Sequence, residues 1–224
     1  MPKTKDFVHL HLHTDYSLLK GAIQLKPLVK QLAELEMGAC AITDYANMYG
    51  AISFYTVMKQ NGIHPILGYE AMVTFGSRHD RDPSLKAGER PYYHLVLLAK
   101  DFEGYKNLTY MASKAYTEGL HHRPRIDVEL LAENSTGLIG LSSGLKGAVG
   151  HYLLQNDTET ALKNTLMFRD IFGEDNFFLE IQEHGVPDEQ TIRSGLVELS
   201  RSSGVPFVAT NDAHYLSQSD SKAH

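Results

Sequence analysis

The sequence predicts an α/β fold built on a largely parallel sheet. Short apolar runs recur at 7–13, 39–43, 64–74, 92–99, 137–142, 177–182 and 206–210. Segments with apolar residues at helical spacing fill most of the gaps. The two patterns alternate along the chain, as successive βα units do. Seven such units in 224 residues suit a barrel near the small end of that size range. An open doubly wound sheet is the alternative. No Gly-x-Gly-x-x-Gly opens the first helix, which counts against dinucleotide binding.

The elements follow in order. In the first run His9, His11 and His13 alternate with Val8, Leu10 and Leu12. A strand would put the imidazoles on one face and the aliphatic groups on the other. Two imidazoles about 7 Å apart along a strand are able to converge on one metal ion at its end. The plainer reading is a half-exposed polar face. Residues 26–37 carry Leu28, Val29, Leu32, Ala33 and Leu35 at helical spacing, with Pro27 in the first turn. Strand 39–43 holds Cys40, read as core packing. Helix 50–60 and strand 64–74 come next. The polar stretch 76–91 then breaks the rhythm and reads as an inserted mobile loop. Strand 92–99 and helix 102–118 follow. Residues 119–125, Gly-Leu-His-His-Arg-Pro-Arg, form a short basic loop, either a solvated turn or a phosphate contact. After strand 137–142 come helices 147–155 and 158–172, strand 177–182, helix 188–202 and strand 206–210. Gly173 and Gly204 stand where two of these helices should stop.

Composition narrows the function. The length fits a single domain over 1–224. Hydrophobic content of 42% is ordinary for a globular protein, and no run approaches the roughly 18 apolar residues of a membrane span. Met1–Asp6 lacks the apolar core of a signal peptide. The single cysteine excludes an internal disulfide and fits a reducing, cytoplasmic setting. A net charge of −6 argues against a surface that grips nucleic acid by itself, so any DNA contact is local or made by another part of a larger protein. The chain stops at Ser221-Lys222-Ala223-His224 without Gly or Pro punctuation, as a cut through a longer chain would leave it.

Polar residues gather where strands should end. The first run ends in His11 and His13, the second runs into Thr43-Asp44-Tyr45, the third carries Glu70, and the last ends in Asp212-Ala213-His214. In a barrel such ends converge on one mouth. Imidazoles with carboxylates suit zinc, manganese or iron. His94 begins a strand and is less securely placed, and His184 follows the sixth strand as a further candidate. Asp44 alone would also serve as a helix N-cap.

These stretches resemble a known family. Phe7-Val8-His9-Leu10-His11-Leu12-His13-Thr14-Asp15-Tyr16-Ser17-Leu18-Leu19, Ala41-Ile42-Thr43-Asp44 and Pro65-Ile66-Leu67-Gly68-Tyr69-Glu70 are similar to the PHP (polymerase and histidinol phosphatase) domain at the N-terminus of bacterial DNA polymerase III alpha subunits. So are His94-Leu95-Val96-Leu97-Leu98-Ala99-Lys100, Gly104-Tyr105-Lys106-Asn107-Leu108 and Val208-Ala209-Thr210-Asn211-Asp212-Ala213-His214. The resemblance spans nearly all of the chain. It implies a distorted seven-stranded (β/α) barrel with a site for up to three divalent metals. The matching ligand positions are His11, His13, Glu70, His94, Asp212 and His214. Three positions depart from the family pattern: Lys20 replaces an Asp, Tyr45 a His and Gly144 a Cys. By the family's arrangement the set His11, His13, Glu70 and Asp212 is intact. The expected occupancy is therefore one metal or none, not three. A Lys20 ammonium near the vacated position would pair with Glu70 or Asp212, since buried charges need partners.

The resemblance implies a DNA-directed DNA polymerase as the parent, with magnesium for its nucleotidyl transfer. It also implies a PHP domain that supports the polymerase body and docks the proofreading exonuclease. An active metal-dependent 3′–5′ exonuclease, with Asp212 and His214 in catalytic roles, is the second reading. A small-molecule phosphoesterase of histidinol-phosphate phosphatase type is the third. Polymerase chemistry is not expected in these residues, because Asp80-Arg81-Asp82 reads as a solvated loop and not as a palm carboxylate set.

Overall fold

A computed structural model describes residues 7–81 and 88–222. Met1–Asp6, the 82–87 part of the polar insertion (Asp82 included) and the last two residues lie outside the described residues. The chain divides into two compact units, residues 1–70 with 210–224 and residues 71–209.

In the first unit, α1 (Leu25–Glu34) buries Leu28 and Leu32, one helical turn apart. β1 (Ala39–Ile42) is buried on both faces, which is why it reads as a continuous apolar run. α2 (Ala51–Gln60) buries Ala51, Phe54 and Met58 at helical spacing. With Leu12, Ile23, Cys40, Ile42 and Ile63 these side chains form one core. β1 pairs in parallel with the start of β2 (His64–Thr74), Ala39 opposite His64 through Ile42 opposite Leu67.

Residues 7–14 depart from expectation. They do not form a continuous strand. Isolated parallel bridges join His9 to Cys40, Leu12 to Ala213 and Thr14 to Ile23. The chain changes partner as it goes. Ala41 N donates to His9 O (2.7 Å) and Thr43 N to Leu12 O (2.9 Å), after which His13 N donates to Ala213 O (2.8 Å). Leu12 N is taken by the Thr43 hydroxyl at 2.8 Å, so a side chain stands in for a ladder bond.

In the second unit, β2 continues to Thr74. Then come β3 (Tyr93–Ala99), α3 (Phe102–Thr117), β4 (Leu120–His121), β5 (Arg123–Pro124), β6 (Ile126–Asp127), α4 (Val128–Glu133) and β7 (Leu138–Leu141). They are followed by α5 (Ala148–Leu154), α6 (Thr158–Phe172), β8 (Phe177–Ile181), α7 (Pro187–Ser203) and β9 (Phe207–Ala209). Asp101 caps α3 by accepting from Gly104 N at 2.9 Å, and Asp157 caps α6 by accepting from Thr160 N at 3.0 Å. A Cβ on Gly104 would lie 1.9 Å from the Gly137 carbonyl oxygen, so α3 starts where only glycine fits.

The hydrogen-bonded order is β1-β2-β3-β7-β8-β9, with β6 also on β2. The strand number matches expectation but the membership does not. Ile126–Asp127 joins the sheet, and the 7–13 run stays out as bridges. β7 with β8 and β8 with β9 are parallel, whereas β3 and β7 are antiparallel, Val96 opposite Leu141. Apolar periodicity reports burial and is blind to strand direction. The basic loop at 119–125 is a small hairpin, Leu120 opposite Pro124 and His121 opposite Arg123, with His122 at φ +59° in its turn. The insertion expected to be mobile is pinned at its start. Arg78 donates to Glu118 (2.8 Å) and through Nη1 to both oxygens of Asp127 (2.9 and 3.0 Å).

Candidate metal centre

The first unit gathers five of the anticipated side chains. Leu12 drops into the core while its neighbours His11 and His13 turn the other way, 1% and 0% exposed. Glu70 is fully buried, and its backbone is fixed by Glu70 N to Asp44 O (3.0 Å) and Ala46 N to Glu70 O (2.9 Å). Asp212 adopts φ +38°, a costly conformation for a residue with a side chain. His214 stacks on His13, with ring centroids 4.3 Å apart and planes 7° apart. His11, His13 and Glu70 form one group of ligand atoms within 4.8 Å of one another, and His13, Asp212 and His214 form another.

One oxygen is central. Asp212 Oδ1 lies 3.2 Å from His11 Nε2, 3.0 Å from His13 Nε2 and 3.1 Å from His214 Nε2. Glu70 adds Oε1 at 3.4 Å from His11 Nε2 and Oε2 at 3.8 Å from His13 Nε2.

Hydrogen bonds on the far side of two rings determine what these nitrogens carry. Ser17 Oγ donates its only proton to Asp44 Oδ1 at 2.6 Å. It therefore accepts from His13 Nδ1–H at 3.1 Å. His214 Nδ1–H likewise donates to the Lys20 carbonyl at 2.7 Å. In their neutral form both rings thus turn an unprotonated Nε2 toward a carboxylate oxygen. Two lone pairs facing each other in a buried site repel unless a cation stands between them. Burial lowers the His13 pKa below its ordinary value, against the raising pull of Asp212 and Glu70. His13 Nε2 lies 3.0 Å from Asp212 Oδ1. The donor set and its tautomers therefore fit a divalent ion.

Both oxygens of Asp44 are engaged in hydrogen bonds. Its oxygens accept from Thr14 N (2.7 Å), Thr14 Oγ1 (2.8 Å) and Ser17 Oγ (2.6 Å), which leaves it holding the turn that orients His13. Burial raises its pKa, while the Ser17 and Thr14 hydrogen bonds pull it down. Ser17 and Thr14 were not anticipated as site residues. The signal for them was their spacing in the turn directly after His13. Lys20 has an exposed side chain, and its ammonium stands 5.4 Å from the centroid of the Tyr45 ring. Tyr45 N donates to Ser17 Oγ at 2.9 Å.

The remaining candidates lie in the second unit. His94 is half-buried near the start of β3, its ring 6.1 Å from that of Tyr92. His184 is held by Glu189, with Nδ1 2.5 Å from Oε1 and the backbone N donating to Oε2 at 2.7 Å. At Gly144 (φ +49°) a Cβ would lie 2.4 Å from Gln182 Oε1, and the Gln182 amide donates to Glu180 at 3.0 Å. The Gln182 carboxamide thus takes the space that a longer side chain at 144 would need.

Residues 9–184 match the PHP domain family model. The chain is 46% identical over 217 residues to the DNA polymerase III subunit alpha of Treponema pallidum, covering 97% of this chain and 18% of that protein. It is 45% identical over 226 residues to the corresponding subunit of Deinococcus radiodurans, covering 98% and 17%. The chain therefore spans under a fifth of the length of these relatives. Among solved structures, it is similar to one described as a metal-dependent phosphoesterase from Bifidobacterium adolescentis, with TM-score 0.56 and 14% identity over 95% of this chain and 90% of that one. An amidohydrolase from Chromobacterium violaceum gives TM-score 0.58 and 14% identity over 92% and 87%. At that identity the likeness speaks to the fold alone, and it agrees with the distorted (β/α) barrel class expected from the sequence. The chain belongs to the PHP domain family.

Proposed function

We propose that this chain is the PHP portion of a bacterial DNA polymerase III alpha subunit and that it holds one divalent metal at His11, His13, Glu70, Asp212 and His214. The observation that carries the metal reading is Asp212 Oδ1, which faces three imidazole Nε2 atoms within 3.2 Å. The relatives at 46% and 45% identity carry the polymerase assignment. Zinc, manganese and iron all suit such donors. A bound ion of this kind would lower the pKa of a coordinated water and stabilise charge on a phosphoryl oxygen. Lys20, Tyr45 and Gly144 stand where the family's further ligands belong, which favours one ion over three.

In this reading the domain supports the polymerase body and docks the proofreading exonuclease, in the cytoplasm. Magnesium-dependent nucleotidyl transfer belongs to the rest of the polypeptide. No helix among the described residues is long and apolar enough to cross a membrane. The intact first ligand set favours a second reading, a metal-dependent 3′–5′ exonuclease in which Asp212 and His214 would serve catalysis.

Elemental analysis of chain purified without chelator should find about one zinc, manganese or iron per chain, lost in Asp212→Asn. Three tightly held metals would overturn the one-ion reading. A primer–template digestion assay with added manganese or zinc separates the two roles. Cleavage abolished by Asp212→Asn means a working nuclease, and no cleavage with exonuclease capture means the scaffold.

A further inference from the structure

The hairpin β4–β5 and the start of the polar insertion hold a pair of arginines outside the metal centre. Arg125 is only 2% exposed. Its Nη2 donates to the Asp80 carbonyl at 2.6 Å, and its Nε has no hydrogen-bond partner. Arg81, the residue after Asp80, is exposed and donates to the carbonyls of Leu120 and of Glu118, the latter at 3.2 Å. Both guanidinium groups thus end on main-chain carbonyls. Arg78 nearby is different, being matched by the carboxylates of Asp127 and Glu118. Burial and then the Arg81 charge lower the Arg125 pKa, while among the described residues Asp80 and Tyr92 act the other way. A buried cation beside a second cation, with a donor left over, is costly unless an anion joins them. Arginine forks match the tetrahedral oxygens of a phosphate group.

We propose that Arg81 and Arg125 form a phosphate-binding site; a further exposed arginine, Arg123 in β5, lies two residues before Arg125. The phosphate belongs either to a nucleic-acid backbone or to a free phosphate or pyrophosphate. The exposed Arg81 meets it first and the enclosed Arg125 stands behind. This local cationic pair is compatible with a chain whose net charge is −6, because one phosphate needs only its immediate donors. The site is independent of the metal reading, since all its residues lie in the second unit.

The test uses the full chain treated with EDTA, so that no metal holds phosphate. Inorganic phosphate and pyrophosphate are titrated by calorimetry, and a fluorescent oligo-dT is titrated by anisotropy at two salt concentrations. Saturable binding is expected for at least one probe, weakened about tenfold or more by Arg81→Gln and by Arg125→Gln, as loss of a charge-assisted fork implies. Competition of phosphate against oligo-dT would mean that both sources use the pair. Binding of oligo-dT alone would assign the phosphate to a nucleic-acid backbone, and binding of the small anions alone to a free phosphate. If Arg125→Gln unfolds, the exposed Arg81→Gln decides. Absence of saturable binding by every probe, or binding unchanged in Arg81→Gln, overturns the proposal.

Discussion

The Ser17 hydroxyl lies 2.6 Å from Asp44 Oδ1 and 3.1 Å from His13 Nδ1. Because the carboxylate takes the serine proton, Ser17 presents only a lone pair to the ring. That fixes the tautomer of His13 and points its bare Nε2 at Asp212. A metal held at these side chains would thus be tuned by a residue that never touches it.

Ser17→Ala removes this orienting contact and frees the ring to flip. The affinity for zinc should fall about 10–100-fold, as for other outer-shell partners. A competition titration against a chromophoric chelator reads this directly. Unchanged affinity in a protein of unchanged circular dichroism would show that Asp44 and Ser17 hold only the turn.

Burial lowers the His13 pKa from 6.5. Below that value the unfolded chain binds a proton that the folded chain refuses. Stability of the metal-free protein should therefore fall as pH drops from about 6.5 toward the folded value. Asp44 acts in the opposite sense at lower pH, because its raised pKa lets the fold take up a proton above 3.8. Urea midpoints in EDTA between pH 7 and about 5.5, compared with His13→Asn, isolate the histidine. A wild-type slope no steeper than that of His13→Asn would refute the assignment.

Cys40 is fully buried, and burial pushes its thiol up to about 12 from 9.0. The thiolate is the reactive form, so the native protein should resist a disulfide reagent at pH 8 and react fully in denaturant. Above pH 9 the unfolded chain loses a proton that the fold keeps. Cys40 therefore costs stability at about 1.4 kcal/mol per pH unit up to its folded pKa. Cys40→Ala should flatten that alkaline slope.

Asp127 accepts from Leu130 N at 3.0 Å as the N-cap of α4, and it also takes Arg78 N at 2.9 Å together with the Arg78 guanidinium. Asp127→Ala leaves the Arg78 donors and the cap unmatched, at a cost of about 2–4 kcal/mol in urea unfolding. Asp127→Asn should recover the capping part. A loss under about 0.5 kcal/mol would mean that the 76–81 segment is not held by this contact.

How legible the fold was depended on element length. Helix α6 keeps the bounds its sequence predicts, because Gly173 ends a long amphipathic stretch. β6 and α4 were missed, since two and six residues are too few to show a period. The 7–13 run looked like a strand because its residues alternate, yet its backbone bonds are divided between Ala41, Thr43 and Ala213.

The sequence by itself determined the α/β class, the family and the chemical kind of five donors, because these are local properties of residue type and spacing. Tertiary structure alone decided that Asp212 Oδ1 faces three imidazoles, that Asp44 spends its oxygens on Ser17 and Thr14, that the Lys20 ammonium stands over the Tyr45 ring, and that Gln182 fills the space beside Gly144. The physical reason is directionality. A hydrogen bond depends on which way a proton and a lone pair point, and that is settled only when segments distant in the chain are packed together.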